Sequence, residues 1–402
     1  MSEKIYILEA DQEKHQEMTV GAINWALRDR NLTSETKAWT KRLDKTWDTL
    51  AHPIFKDLGV RLLPPPDYDA LLEEVDENLP TLPNIVSKLT SILDNDENTR
   101  IDELTESMDQ SLTAAVLEVV NSVHYRQGDD RHVDDTEEAI IIIGLGEFRR
   151  IVSKIKALDF LKGASDEDGF SLSELWKHSF GVGETSRVIA KYLNEKRHVE
   201  WNERLLESKE GINKPPKPKE LDHELAYICG LLHGIGKVAL YDLRRATFLQ
   251  NCKDALDRET DLLTAEIQNQ SYKYHEVGHL MFKKWDQDER LTYVIGRHHE
   301  LNKDERGSCP KDPGLNKCSE EERVQRQAKY EEEAHELVDI VILAIWMMHD
   351  QGFGSSGNPY PTNPSDEILT RLDLDRQHFQ KLQDVAKKER RRTKAFLESL
   401  NN

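Results

Sequence analysis

His233 closes an apolar run that begins at Leu225 and passes into Gly234-Ile235-Gly236-Lys237. Helical periodicity sets Leu225, Ile228, Leu232 and Ile235 on one face, and Ala226, Cys229, Gly230, His233 and Lys237 on another. Gly234 and Gly236 would each cost about 1 kcal/mol relative to alanine inside a helix. The spacing therefore predicts a helix that breaks near His233, leaving an imidazole and an ammonium beside a glycine turn. A lone imidazole on an apolar helix is more often a satisfied core group than a ligand. A second stretch, His275-Glu276-Val277-Gly278-His279, reads H-E-x-x-H. On a helix that pattern sets two imidazoles one turn apart with a glutamate between them as base, the chemistry of a zinc protease. The longer protease pattern fails, because Phe282 stands where a glycine is wanted and Trp285 where the third histidine belongs.

The rest of the chain must position these groups. Charged residues make up 32% of the 402 positions and hydrophobic ones 37%, a balance that suits helices with one buried and one solvated face. The length allows two domains, or one large domain with appendages. Seventy-five acidic against 55 basic residues give a formal charge of −20, which argues against general affinity for nucleic acid or anionic membranes. The basic run Lys387 to Lys394 fits a solvated helix face better than a nucleic-acid contact. No run of 18 apolar residues occurs, and the opening MSEKIYILEADQEKH lacks the order of a signal peptide, so a cytosolic location is expected. Four cysteines are too few for a disulfide scaffold and read as reduced. Cys309 and Cys318 lack the close spacing of zinc ligands.

Taken in order, residues 1 to about 63 read as two or three amphipathic helices. Ile23, Ala26 and Leu27 form one stripe; Trp39, Leu43, Trp47 and Leu50 form the next. Pro64-Pro65-Pro66 then closes a helical N-terminal region, 1–66. Short helices follow, one marked by Ile85, Leu89 and Ile92 and another by Leu112, Val116, Leu117 and Val120. Ile140 to Ile143 alone would suggest a strand by β-branching, while the flanking glutamates and arginines favour helix. Ser171 and Glu174 fit a capping box that opens a long helix carrying Leu175, Val182, Ile189 and Leu193. Residues 195–221 and 301–333 read as charged, proline-bearing surface insertions. Residues 334–349 return to a buried helix, 352–365 are rich in turn residues, and 366–402 read as a last charged helix.

Leu231 to Lys237 resembles the LLHDIGK signature of the HD superfamily of metal-dependent phosphohydrolases, with Gly234 in place of the aspartate. Leu82-Pro83, Asp109-Gln110-Ser111-Leu112-Thr113, Val120-Asn121-Ser122, Glu138-Ala139-Ile140, Gly144-Leu145 and Leu175-Trp176-Lys177-His178-Ser179 follow in the order of its HD-related output domain, HDOD. The likeness covers roughly residues 75–350 and implies an all-α, HD-domain-like multi-helix body behind the helical N-terminal region. It implies that His178 is the first histidine of the site, His233 the HD histidine and His298-His299 the later pair. In the HxxVG frame set by Val277-Gly278 the histidine falls on Tyr274, with His275 one residue late. The late aspartate falls on Ile345. Both carboxylates are therefore missing.

The implied pocket comprises His178, His233, Gly234, Lys237, His275, His298 and His299. A divalent metal in such a site lowers the pKa of bound water and polarises a phosphoryl oxygen. Imidazoles alone (His178, His233, His275, His298, His299) suit a single zinc or iron ion and not magnesium or calcium, which want oxygen. The resemblance with this loss implies a non-catalytic signalling or regulatory module, with no cofactor expected beyond such an ion. A signalling protein would be its partner, and a nucleotide-like ligand in the pocket a possible gate. The alternative is a metal-dependent phosphohydrolase acting on a nucleotide or cyclic dinucleotide.

Overall fold

The computed structural model describes residues 4–8, 15–28, 32, 36–43, 46–60, 66–79, 82–83, 86–87, 108, 110–121, 133, 135–159, 170–207, 214–308, 310–312, 319–361 and 363–399. Pro64-Pro65, the helix expected around Ile85, Leu89 and Ile92, and Cys309 and Cys318 lie outside them.

The N-terminal region departs from its reading as helices alone. Four short strands, β1 (Ile5–Leu8), β2 (His15–Met18), β3 (Lys37–Thr40) and β4 (Asp48–Thr49), form an antiparallel sheet in the order β2-β1-β3-β4. Ile5 and Ile7 of β1 face inward, against Ile23 and Leu27 of α1 (Val20–Arg28) and Phe55 of α2 (Pro53–Asp57). The stripe at Ile23, Ala26 and Leu27 is helical. Trp39 sits instead on β3, opposite Tyr6, and the chain turns at Leu43 before β4. The spacing of Trp39, Leu43, Trp47 and Leu50 imitates a helical period, but pairing with distant β1 decides the conformation of strands this short.

A second small core lies in α4 (Gln110–Val120), α5 (Thr136–Ile143) and α6 (Leu145–Asp159). The isoleucine run is helical because Asp135 caps it, its Oδ1 accepting from the Glu138 amide at 2.7 Å. This lobe buries Leu112, Val116, Ile140 and Phe148, and it shares its apolar interior with Phe396 from the C-terminal end of the chain.

The main body is built along α7 (Leu172–Glu207), whose first turn is capped by Ser171 Oγ accepting from Glu174 N at 3.1 Å. Against it pack α8 (His223–Leu232) and α14 (Glu320–Asp350), with α9 (Ile235–Leu243), α12 (Tyr274–Lys284) and α13 (Glu289–Arg297) behind them. Helices α10 (Arg245–Asp257) and α11 (Leu262–Gln268) pair with each other at one corner, and α3 (Tyr68–Asn78) covers α9 and α12. The α7–α8 contact is close. A Cβ on Gly230 would lie 2.7 Å from Ser186 Oγ and 2.8 Å from Gly183 Cα, so the two glycines let the backbones meet.

Both expected insertions are shorter than their charge suggested. Helix α7 runs to Glu207 and α14 begins at Glu320, where Ser319 and Glu322 form a capping box. Charged residues without a breaker extend these helices, and Arg197 and Glu336 pair across them at 2.7 Å. The expected last helix is two, α15 (Asp366–Arg371) and α16 (Arg376–Ser399), broken where Asp373 takes a positive φ of 53°. No helix among the described residues is long and apolar enough to cross a membrane.

Candidate functional site

The break at His233 is real, but the chain restarts at once. His233 ends α8 and Gly234 begins α9 without a side-chain cap. The His233 Nδ1–H donates to the Gly230 carbonyl at 2.7 Å, which leaves Nε2 as a buried acceptor with no hydrogen-bond partner. His298 ends α13 in the same way, its Nδ1–H donating to the Ile295 carbonyl at 2.9 Å. Its Nε2 lies 3.2 Å from the Tyr274 hydroxyl, which donates to it. His178, on the first third of α7, completes the row. Ring centroids are 5.6 Å apart for His178–His233 and 5.3 Å for His233–His298.

Tyr274, on which the family frame sets a histidine, is thus hydrogen-bonded to His298. His275, one residue on, turns to His299, with ring centroids 3.8 Å apart. Lys237 crosses behind Tyr274. Its ammonium is 4.3 Å from the ring centroid and donates to the Ser356 carbonyl at 2.9 Å. Glu266 was not legible as part of this neighbourhood. It is fully buried, with Oε2 accepting from the Tyr274 amide at 3.1 Å and Oε1 unpartnered. An acid inside the short helix Leu262–Gln268 resembles any solvated face, so no sequence signal marked it.

Burial is the main electrostatic force here. It pushes the His178 and His298 pKa values down to about 3, and the positive charge of Lys237 adds to both shifts. His233 and His275 are driven well below the histidine range, first by burial and then by neighbouring imidazoles. Burial lowers Lys237 to about 8 and raises Glu266 well above the carboxylate range. His178, His233, His275 and His298 are thus neutral imidazoles beside one lysine. Because the unfolded chain binds these protons first, the histidines favour folding above their ordinary pKa of about 6.5. That contribution erodes as pH falls from about 6.5 toward 3. Urea midpoints measured at pH 7 and pH 4.5 should fall in acid, and His178→Gln should reduce the slope.

The cleft at this site is small. About 30 Å³ is open between Tyr274, His298, His299, Ile342, Ile345 and Asn358, room for about one or two waters. Ile345, at the place of the late aspartate, is one wall of it. At Gly234, the other expected carboxylate position, an added Cβ would lie 3.3 Å from Leu175 Cδ1 and 4.0 Å from Lys237 Cδ and Ser179 Oγ.

The donor set does not fit a metal ion. Among the described residues no three His, Cys, Asp or Glu side chains are grouped to hold one. The His298 Nε2 is engaged by Tyr274, and His275 and His299 face each other. The H-E-x-x-H reading fares no better. His279 Nδ1–H donates to the Thr292 carbonyl at 3.0 Å, and Glu276 pairs with Lys273 at 2.8 Å.

A row of buried imidazoles within a helical body is the arrangement expected of an HD-related domain, with Gly234 and Ile345 at the two positions where the resemblance sets carboxylates. The chain matches the HDOD domain over residues 79–301, more than half its length, and it belongs to the HDOD family. It is similar to an HDOD domain protein of Geobacter sulfurreducens at 22% identity and a TM-score of 0.55, over 83% of this chain and 99% of that one. A Marinobacter aquaeolei VT8 protein described as a candidate signal transduction protein matches at 15% identity and a TM-score of 0.54, over 96% and 69%. A Shewanella amazonensis SB2B protein described as a candidate phosphohydrolase matches at 18% identity and a TM-score of 0.50, over 82% and 98%. At these identities the structures share the fold. An uncharacterised protein of Treponema pallidum (strain Nichols) is 22% identical over 58% of this chain, and the match spans 40% of that relative's length.

Proposed function

We propose that the chain is a non-catalytic signal-transduction module of the cytosol, whose output is a contact with a signalling protein. The observation that carries this reading is the pocket itself. Gly234 and Ile345 stand where the resemblance sets the HD carboxylates, and His178, His233, His275 and His298 are buried, neutral imidazoles, with the Nδ1 atoms of His233 and His298 turned to the backbone and the His298 Nε2 to Tyr274. A hydrolytic metal needs anionic ligands that balance its charge and hold the attacking water against the phosphorus. Nothing at positions 234 and 345 can do that.

A signalling role also needs a connection from the pocket outward, and two helices supply it. Helix α7 carries His178 and, six residues on, Glu184; α8 carries Glu224 and ends at His233. Glu184 pairs with Lys154 of the small lobe at 2.7 Å, and Glu224 with Arg150 at 2.8 Å. A change at the histidines thus acts on the same helices that hold the α4–α6 lobe. The cleft of about 30 Å³ is too small for the nucleotide-like ligand expected there, so gating would require the pocket to open.

The phosphohydrolase alternative draws on the free Nε2 of His233, which lies between two other imidazoles. Elemental analysis is the first test. Protein purified without added metal should carry far less than one zinc or iron per chain, and Gly234→Asp with Ile345→Asp should raise that content. One firmly held metal per native chain would contradict the poor fit of the donor set, and turnover would then decide between a metal-bearing regulatory module and the phosphohydrolase.

A further inference from the structure

A much larger groove lies at the far end of α7. It measures about 320 Å³, within the ~300–1,000 Å³ usual for small-ligand sites, and is walled by α7, the segment 214–219 and the middle of α14. Its parts can be sorted by what they already do. The Trp201 indole N–H donates to the Pro215 carbonyl at 3.1 Å and so pins the segment Pro215-Pro216-Lys217-Pro218. Three prolines stiffen that wall before anything binds. Arg197 is paired with Glu336 at 2.7 Å, Lys219 lies 3.5 Å from Glu332 and 3.4 Å from Glu336, and Glu200 is held by Lys196 at 2.6 Å. These pairs fix the walls.

What remains is an aromatic surface and two cations. Trp201 is half-buried, and Arg204 and Lys217 are exposed, with no hydrogen bond or ion pair to any described residue. In a chain of net charge −20, two cations with no ionic partner among the described residues, beside an indole, are a local exception. An indole stacks on planar rings, and Arg and Lys bind phosphate or carboxylate oxygens. The geometry points to a binding site for a planar aromatic anion the size of a nucleoside monophosphate, with the ring on Trp201 and the charge between Arg204 and Lys217. This site is separate from the histidine cleft, and it stands whether or not the signalling reading holds.

The test is calorimetric titration of the full chain with adenosine monophosphate, beside adenosine and inorganic phosphate as the two halves of the ligand. The monophosphate should bind at least about tenfold tighter than either half, since two contacts act together. Arg204→Glu with Lys217→Glu should weaken it by about tenfold or more without changing the far-ultraviolet circular dichroism, because both side chains are exposed. Trp201→Phe keeps a ring for stacking; it should retain heat on titration while losing the ligand-dependent change in tryptophan fluorescence. The proposal is overturned if the monophosphate binds no better than its halves, or if the charge-reversal pair leaves binding unchanged. Abolition by His298→Ala but not by the groove variants would also overturn it, as would tighter binding of a poly-glutamate peptide than of the monophosphate.

Discussion

Glu184→Ala is expected to lower the unfolding free energy by about 3–5 kcal/mol, the scale for removing one partner from a buried ion pair. Glu184 is 3% exposed and bonded to two cations, Lys154 at 2.7 Å and Arg187 at 2.9 Å. Burial by itself would raise its pKa, but Lys154, Arg187 and Arg150 hold the carboxyl well below the usual range. Its folded pKa is depressed, so its stabilisation is present at neutral pH and is lost progressively as pH falls below the ordinary carboxylate value of about 4.5. Truncation leaves two buried cations without their shared anion, and Lys154 lies 5.1 Å from the Phe396 ring. The comparison is Glu200→Ala, which removes a half-exposed partner of Lys196 and should cost less than about 1 kcal/mol. Urea denaturation of the two variants measures the contrast. Hydrogen exchange should further show that Glu184→Ala exposes amides of α4–α6 before those of α12 and α13, because Glu184 joins that lobe to the body. Equal costs at positions 184 and 200 would remove the ionic joint from the account.

Gly236→Ala should yield no correctly folded protein. A Cβ there would fall 1.9 Å from the Tyr274 carbonyl oxygen and 2.8 Å from the Gly278 amide nitrogen, both backbone atoms of α12. Ordinary overpacking costs about 1–3 kcal/mol because side chains can shift, and here only whole helices could. Relieving the clash would push α9 from α12 and displace Tyr274, His275 and Lys237 together. Gly234→Ala, two residues away, meets only the flexible end of Leu175 at 3.3 Å and should fold. Soluble yield and near-ultraviolet circular dichroism of the pair distinguish them. A well-folded Gly236→Ala with native tertiary signal would mean that the α9–α12 contact is looser than described.

These two sites also show what the sequence could convey. The interruption at His233 was legible because glycine acts locally, and the Ile140–Ile143 helix because its flanking charges and cap are local as well. Ile345, where motif order sets the late aspartate, lines the cleft beside His298 and His299. The N-terminal sheet was not legible: β1 and β3 are 31 or more residues apart at every paired position, and strands of four residues carry little periodicity of their own. The first half of α14 was read as a charged insertion because most of its charged residues are exposed; only a few, such as Glu333 paired with Arg290, are buried. Nor could spacing show that Glu266 lies under Tyr274, or that the histidine cleft is closed to about 30 Å³. Those are properties of packing between helices distant in sequence.

Turnover tests the central claim most directly. The unmodified protein should be assayed against nucleoside phosphates, cyclic dinucleotides and a generic aryl phosphate, with magnesium, manganese or iron added in turn. With no carboxylate at 234 or 345 to hold a metal-bound water, its rate is expected to match both buffer and His233→Ala on every substrate. Robust hydrolysis by the unmodified chain, abolished by His233→Ala in protein that remains folded, would contradict the account and make the chain an enzyme.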